Sequence, residues 1–150
     1  MEWINNDGGR ANAGFTGVAG DCVARSIAIA AELPYQEVYD YLANGNFEQR
    51  KGKYTPKKPR DAGNGINTKR KWFKDYMALL GFYWVPTMSI GSGCKVHLRK
   101  GELPSNSRII AKVSKHYVAV INGDIHDNHD CMRGGTRCVY GYWTMKGETE

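Results

Sequence analysis

Apolar residues in this chain recur first at helical and then at strand spacing. From Asp21 onward, Val23, Ala24, Ile27, Ala28 and Ala31 share one helical face, a period that buries a stripe against a core. Leu33-Pro34 interrupts that pattern and opens a second helix, with Tyr35, Val38, Tyr39 and Leu42 as its apolar face and Asn44-Gly45 as its stop. Thr68 is positioned to cap a third helix carrying Trp72, Phe73, Tyr76, Met77 and Leu80, which Gly81 ends.

Beyond Gly81 the period changes to two. Strands are expected from Phe82 to Val85, from Arg108 to Val113, from His116 to Ile121, from Asp124 to Asp127 and from Arg137 to Trp143. Residues 1–20 are rich in Gly, Asn and Ala with little periodicity, so they predict an irregular lead-in. Helices first and strands later, joined by turns too short for helical crossovers, predict an α+β domain with an antiparallel sheet.

Length and composition narrow the picture. At 150 residues the chain suits one domain over 1–150 with a core that needs no metal or disulfide support. No run approaches the roughly 18 apolar residues of a membrane span, and the start lacks the basic and apolar regions of a signal peptide. A cytoplasmic protein with no membrane partner is therefore expected, and in that compartment Cys22, Cys94, Cys131 and Cys138 should be reduced thiols or metal ligands.

Charge is concentrated. Residues 50–74 hold ten Lys and Arg against Asp61 alone, while the whole chain carries +6. Pro56, Pro59, Gly63 and Gly65 among those lysines describe an exposed loop. Nucleic acid is a conceivable partner for this block, yet no recognisable nucleic-acid motif accompanies it, and a solvated loop is the simpler reading.

Chemistry enters with Cys22. A thiol in the first turn of a helix meets unpaired N–H groups and a partial positive charge, both of which favour the thiolate. A base is offered downstream by His116. Asn122-Gly123 is the signal for a two-residue type I′ turn, which pairs Ile121 with Asp124, Val120 with Ile125 and Ala119 with His126. Continued outward, that register sets His116, Val118, Asp127 and His129 on one face, with Asp127 diagonal to His116. Asp127 rather than Asn128 is then the residue that orients the imidazole.

Gly20-Asp21-Cys22, the run Ser114-Lys115-His116-Tyr117-Val118-Ala119-Val120-Ile121 with Gly123, and Ile125-His126-Asp127 together resemble the papain-like cysteine peptidase superfamily. The likeness is to the compact bacterial and phage peptidases of the bacteriocin-processing C39 type, and it extends from about residue 20 to about residue 143. It implies a papain-like fold, with N-terminal helices carrying the cysteine packed on a C-terminal antiparallel sheet carrying His and Asp. It also implies an activity in which Cys22 attacks a carbonyl, His116 moves the proton and Asp127 holds the histidine. A peptide or protein substrate and no cofactor would follow. Members of that superfamily usually carry a Gln before the cysteine as an oxyanion donor, and this lead-in has none. Asn12 and Thr16 are the substitutes, and losing such a donor typically costs about 10²–10³ in rate, so an inactive relative stays an alternative.

Two further classes remain open. His116, Asp127 and His129, with Cys131 nearby, form a possible metal set, and Cys94 with His97 form a Cys-x-x-His pair. Residues 50–74, with Trp72 and Phe73 beside the charges, offer a nucleic-acid or protein-binding module, although helical periodicity already accounts for those aromatics.

Overall fold

The computed structural model describes residues 1–16, 21–48 and 66–145, and the mixed α+β class is what it shows. Three helices, α1 (Cys22–Ala31), α2 (Tyr35–Glu48) and α3 (Lys71–Leu79), accompany six strands. These are β1 (Trp3–Asn5), β2 (Phe82–Pro86), β3 (Arg108–Val113), β4 (His116–Ile121), β5 (Asp124–Asp127) and β6 (Val139–Met145). They form a single sheet in the order β1-β5-β4-β3-β6-β2. No helix among the described residues is long and apolar enough to cross a membrane.

The central strands β3 and β4 are nearly continuous apolar runs because both faces of the sheet are covered. Ile110, Tyr117, Ala119, Ile121 and Trp143 pack with the helices, where Ile27, Val38, Leu42, Phe73 and Met77 are fully buried. Ile109, Val113, Val118, Val120 and Ile125 pack on the other side with Leu98, Leu103 and Cys131.

The β4–β5 hairpin follows the register that its Asn-Gly turn dictates: Ile121↔Asp124, Val120↔Ile125 and Ala119↔His126. Asn122 and Gly123 hold φ of 51° and 86°, the left-handed pair that a type I′ turn requires.

Five expectations need correction. The lead-in is not wholly irregular, and the sheet is not wholly antiparallel: β1 pairs parallel to β5. Polar tethers hold this exposed strand, with Glu2 N–H donating to Asp124 Oδ1 at 2.8 Å and the Trp3 indole N–H to the Asp127 carbonyl at 3.0 Å. The helix α2 runs past Asn44-Gly45 to Glu48, because Gly45 serves close approach rather than termination. A Cβ there would collide with the Trp72 ring. Thr68 does not cap α3, whose N-cap is Arg70; the Asn67 side chain instead accepts from the Lys69 N–H at 3.0 Å. Finally, Cys94 and Cys138 are disulfide-bonded, with Cα atoms 6.0 Å apart, leaving Cys22 and Cys131 free. The approach of His97 to Cys138 as an isolated antiparallel bridge brings the two segments together. Of the basic block, residues 50–65 lie outside the described residues.

Candidate active site

Cys22 is the first residue of α1, with Asp21 as N-cap. The Asp21 carboxylate does not cap the helix, because its oxygens are already engaged: Arg10 Nε at 3.1 Å, an Arg25 guanidinium nitrogen at 3.0 Å, and the Tyr35 hydroxyl. Burial and the Asp21 carboxylate together hold the Tyr35 phenol protonated, its pKa well above the ordinary value.

His116 opens β4 and Asp127 closes β5, so the hairpin brings both to one end of the sheet. The imidazole Nε2 lies 2.6 Å from Asp127 Oδ2. Asp127 is 3 % exposed, and it also accepts the Asn128 backbone N–H at 2.8 Å and faces an Arg25 nitrogen at 3.5 Å. Asn128 thus contributes its backbone, not its side chain, to the carboxylate.

The His116 imidazole also feels the thiols of Cys22 and Cys131, the latter with its sulfur within 4.8 Å of a ring nitrogen. Burial alone would lower its pKa, but the bonds to Asp127, Cys131 and Cys22 push it up to about 11. Burial likewise pushes the Cys22 thiol up, and the His116 hydrogen bond and charge, the Tyr117 backbone N–H and the Arg25 charge outweigh it, so that the thiol lies below its usual range. For Asp127, burial raises the pKa while His116 and Arg25 lower it, and the net direction is down. These shifts favour the thiolate of Cys22, the imidazolium of His116 and the carboxylate of Asp127.

The structure therefore brings together Cys22, His116 and Asp127. Asn12 and Thr16 are exposed in the lead-in, and among the described residues neither side chain contacts Cys22; Thr16 gives its carbonyl to Arg10 at 3.2 Å. The backbone of Tyr117, next to His116 on β4, is the main-chain group that helps lower the Cys22 pKa.

Of the metal set, His116, Asp127 and Cys131 lie with ligand atoms within 4.8 Å of one another. His129 is peripheral: its side chain is 56 % exposed, and its Nδ1 stands 3.9 Å from Asp127. The pair Cys94 and His97 offers no ligand set, since Cys94 is in the disulfide and His97 Nδ1 faces Glu102 at 3.1 Å.

Arg25 is the residue sequence reasoning missed. It lies in the middle of an otherwise apolar helix with Asp21 four residues earlier, and that spacing is the signature of an ion pair taken into a core. Comparison of the chain with protein-family models, curated proteins and solved structures gave no match.

Proposed function

We propose that this chain is a papain-like cysteine hydrolase that cleaves a peptide, isopeptide or related amide bond. The observation that carries the reading is the position of His116, hydrogen-bonded to a buried carboxylate at 2.6 Å and close enough to the Cys22 thiol at a helix N-terminus for each to shift the other's pKa.

In the chemistry this supports, the Cys22 thiolate attacks the amide carbonyl carbon and forms a C–S bond. The His116 imidazolium then gives its proton to the departing amine as the C–N bond breaks, leaving a thioester and a neutral imidazole. Water, deprotonated by His116, attacks the thioester, and the acid product departs as the thiolate–imidazolium pair is restored. Asp127 keeps the ring oriented and favours its charged form throughout. The Cys22 and Tyr117 backbone N–H groups are the candidate oxyanion donors, in place of the glutamine absent from the lead-in.

The test is alkylation of each cysteine against pH, mapped by mass spectrometry, in the wild type and in His116→Ala. Labelling of Cys22 well below pH 7 that collapses in the variant is expected, because an unperturbed thiol with pKa near about 8.5 is mostly protonated there. Slow labelling with the profile of an ordinary thiol would overturn the reading.

One observation favours a second reading, metal binding, namely the proximity of His116, Asp127 and Cys131. A metal would replace the His116–Asp127 hydrogen bond and need a neutral imidazole. Stoichiometric zinc in protein purified without chelators, lost in Cys131→Ser, would establish it; metal content near zero would remove it.

A further inference from the structure

Beside the proposed site the sheet carries a cavity of about 330 Å³, lined by Thr68, Lys69, Lys74, Trp84, Lys112, Tyr117 and Trp143. Its floor follows from register. Tyr117, Lys112, Gly141 and Pro86 are successive partners across β4, β3, β6 and β2. With no side chain at Gly141, the Trp84 ring settles over that strand, where a Cβ would collide with it. Trp84 in turn packs on Trp143, centroid to centroid 5.3 Å.

The cavity joins the catalytic residues through one side chain. Tyr117, which lines the cavity with Thr68 and Trp143, directly follows His116 on β4 and belongs to the apolar cluster against which Cys22 packs. A chain whose carbonyl sits at Cys22 therefore has this cavity next to it.

Its charge is one-sided. Among the described residues three lysines and no carboxylate line it, and none of the three makes an ion pair there. Lys112 rises from the floor, partly buried and close enough to Lys69 to feel its charge. Like charges gathered over aromatic walls, Lys69 and Lys74 exposed and Lys112 partly buried, repel one another and are stabilised by an anion placed among them.

We infer that this cavity receives a carboxylate-bearing side chain of the substrate, so that the enzyme selects acidic peptides with Glu or Asp beside the scissile bond. The aromatic walls take the methylene stem, while Lys112 with Lys69 and Lys74 takes the carboxylate. The position of that residue relative to the cleaved bond rests on the proposed hydrolase reading; the cavity's preference for an anion does not.

Binding is tested in the Cys22→Ala protein, where no reaction intervenes, by following the tryptophan indole N–H resonances during titration with acetyl-Ala-Glu-Gly-amide and its Gln and Lys counterparts. The Glu peptide should shift two indole signals, those absent from Trp84→Leu and Trp143→Phe spectra. It should bind about tenfold or more tightly than the others, the size of one charged hydrogen bond. Lys112→Gln should remove that margin, and Lys74→Gln, on the exposed face of α3, should reduce it if the floor variant does not fold.

Equal binding of the three peptides, no indole shift, or a preference that survives both lysine variants would overturn the inference. So would displacement of the Glu peptide by a ten-residue oligothymidylate at lower concentration, which would assign the lysines to nucleic acid. Alkylation of wild-type Cys22 by iodoacetamide is read separately and reports only on the nucleophile, so the two proposals fail independently.

Discussion

The Arg25 guanidinium stands 3.5 Å from Asp127 Oδ1 while holding Asp21 Oδ1 at 3.0 Å, with the side chains of all three residues no more than 3 % exposed. One cation thus ties the N-terminus of α1, which carries Cys22, to the end of β5, which carries the acid. Its removal leaves two buried carboxylates short of a counter-charge.

Arg25→Met should therefore cost about 3–5 kcal/mol, the range for breaking a buried ion pair from one side. Arg25→Lys should recover only part of this, because a single ammonium cannot span both carboxylates as a planar guanidinium does. Urea unfolding of the three proteins checks both values; a loss below about 1 kcal/mol in Arg25→Met would show that Arg10 and Tyr35 suffice for Asp21.

Asp127→Asn should leave the fold in place and weaken the charge pair. Without the anion, the imidazolium of His116 loses its chief support and the Cys22 thiol moves back toward its ordinary range. Each unit of that movement lowers the thiolate fraction about tenfold on the acid side. Iodoacetamide labelling of Cys22 at pH 6 should thus fall by about tenfold or more, with a smaller change at pH 9; an unchanged profile would show that Asp127 does not act on the pair.

The disulfide closes a loop of 44 residues between Cys94 and Cys138, and a crosslink of that span constrains the unfolded chain by up to about 4 kcal/mol. The Cys94→Ser/Cys138→Ser protein should unfold at lower temperature, while Cys22, on α1 and outside the loop that the bridge closes, should label at the wild-type rate. Non-reducing peptide mapping should recover Cys94 linked to Cys138, with Cys22 and Cys131 free.

Much of this arrangement was legible where local chemistry decides it. Asn122-Gly123 dictates a turn, the turn dictates the register, and the register brings Asp127 to His116. What sequence pattern could not give is what depends on distant partners. β1 is three exposed residues with no apolar alternation, held by Asp124 and the backbone of Asp127 from more than 120 residues away. Gly45 looked like a stop because its partner, the Trp72 ring, belongs to another helix. Arg25 and Asp21 stand four residues apart in the sequence, but the third member of their buried set, Asp127, comes from the far end of the β4–β5 hairpin. The lysine cavity assembles from Thr68 through Trp143, across α3 with the turn before it and strands β2, β3, β4 and β6, which no local period connects.

Gly45 supplies an independent check on packing between α2 and α3. Ala in a helix interior is favoured over Gly by about 1 kcal/mol, yet its methyl would meet the Trp72 ring, and overpacking costs roughly 1–3 kcal/mol. Gly45→Ala should be destabilising by about 1 kcal/mol, the difference of those two effects. Pairing it with Trp72→Leu should relieve the collision, so that the double variant is more stable than the sum of the single changes implies. Additive behaviour in urea unfolding would place the ring elsewhere.

The opposed shifts of Asp127 and His116 define a pH window for stability. Asp127 has a lowered pKa, so its contribution is present above the unfolded carboxyl value near about 3.9 and is lost as pH falls through the folded one. His116 is pushed up to about 11, so its contribution is full below the unfolded imidazole value of about 6.5 and is lost as pH rises toward the folded value. The Cys22 thiol, lowered by His116, adds the opposite slope, contributing more as pH rises toward its unfolded value of about 8.5. The stability difference between the wild type and His116→Ala should therefore hold steady between about pH 6.5 and 8.5, shrink above about 8.5, and fall away in acid as the Cys22 thiolate and Asp127 protonate. Unfolding free energies measured from pH 3 to 10 test this directly. A difference that stayed level above about pH 8.5 would mean that His116 is held as the neutral imidazole, the form a metal would select, and would transfer the site to the metal-binding reading.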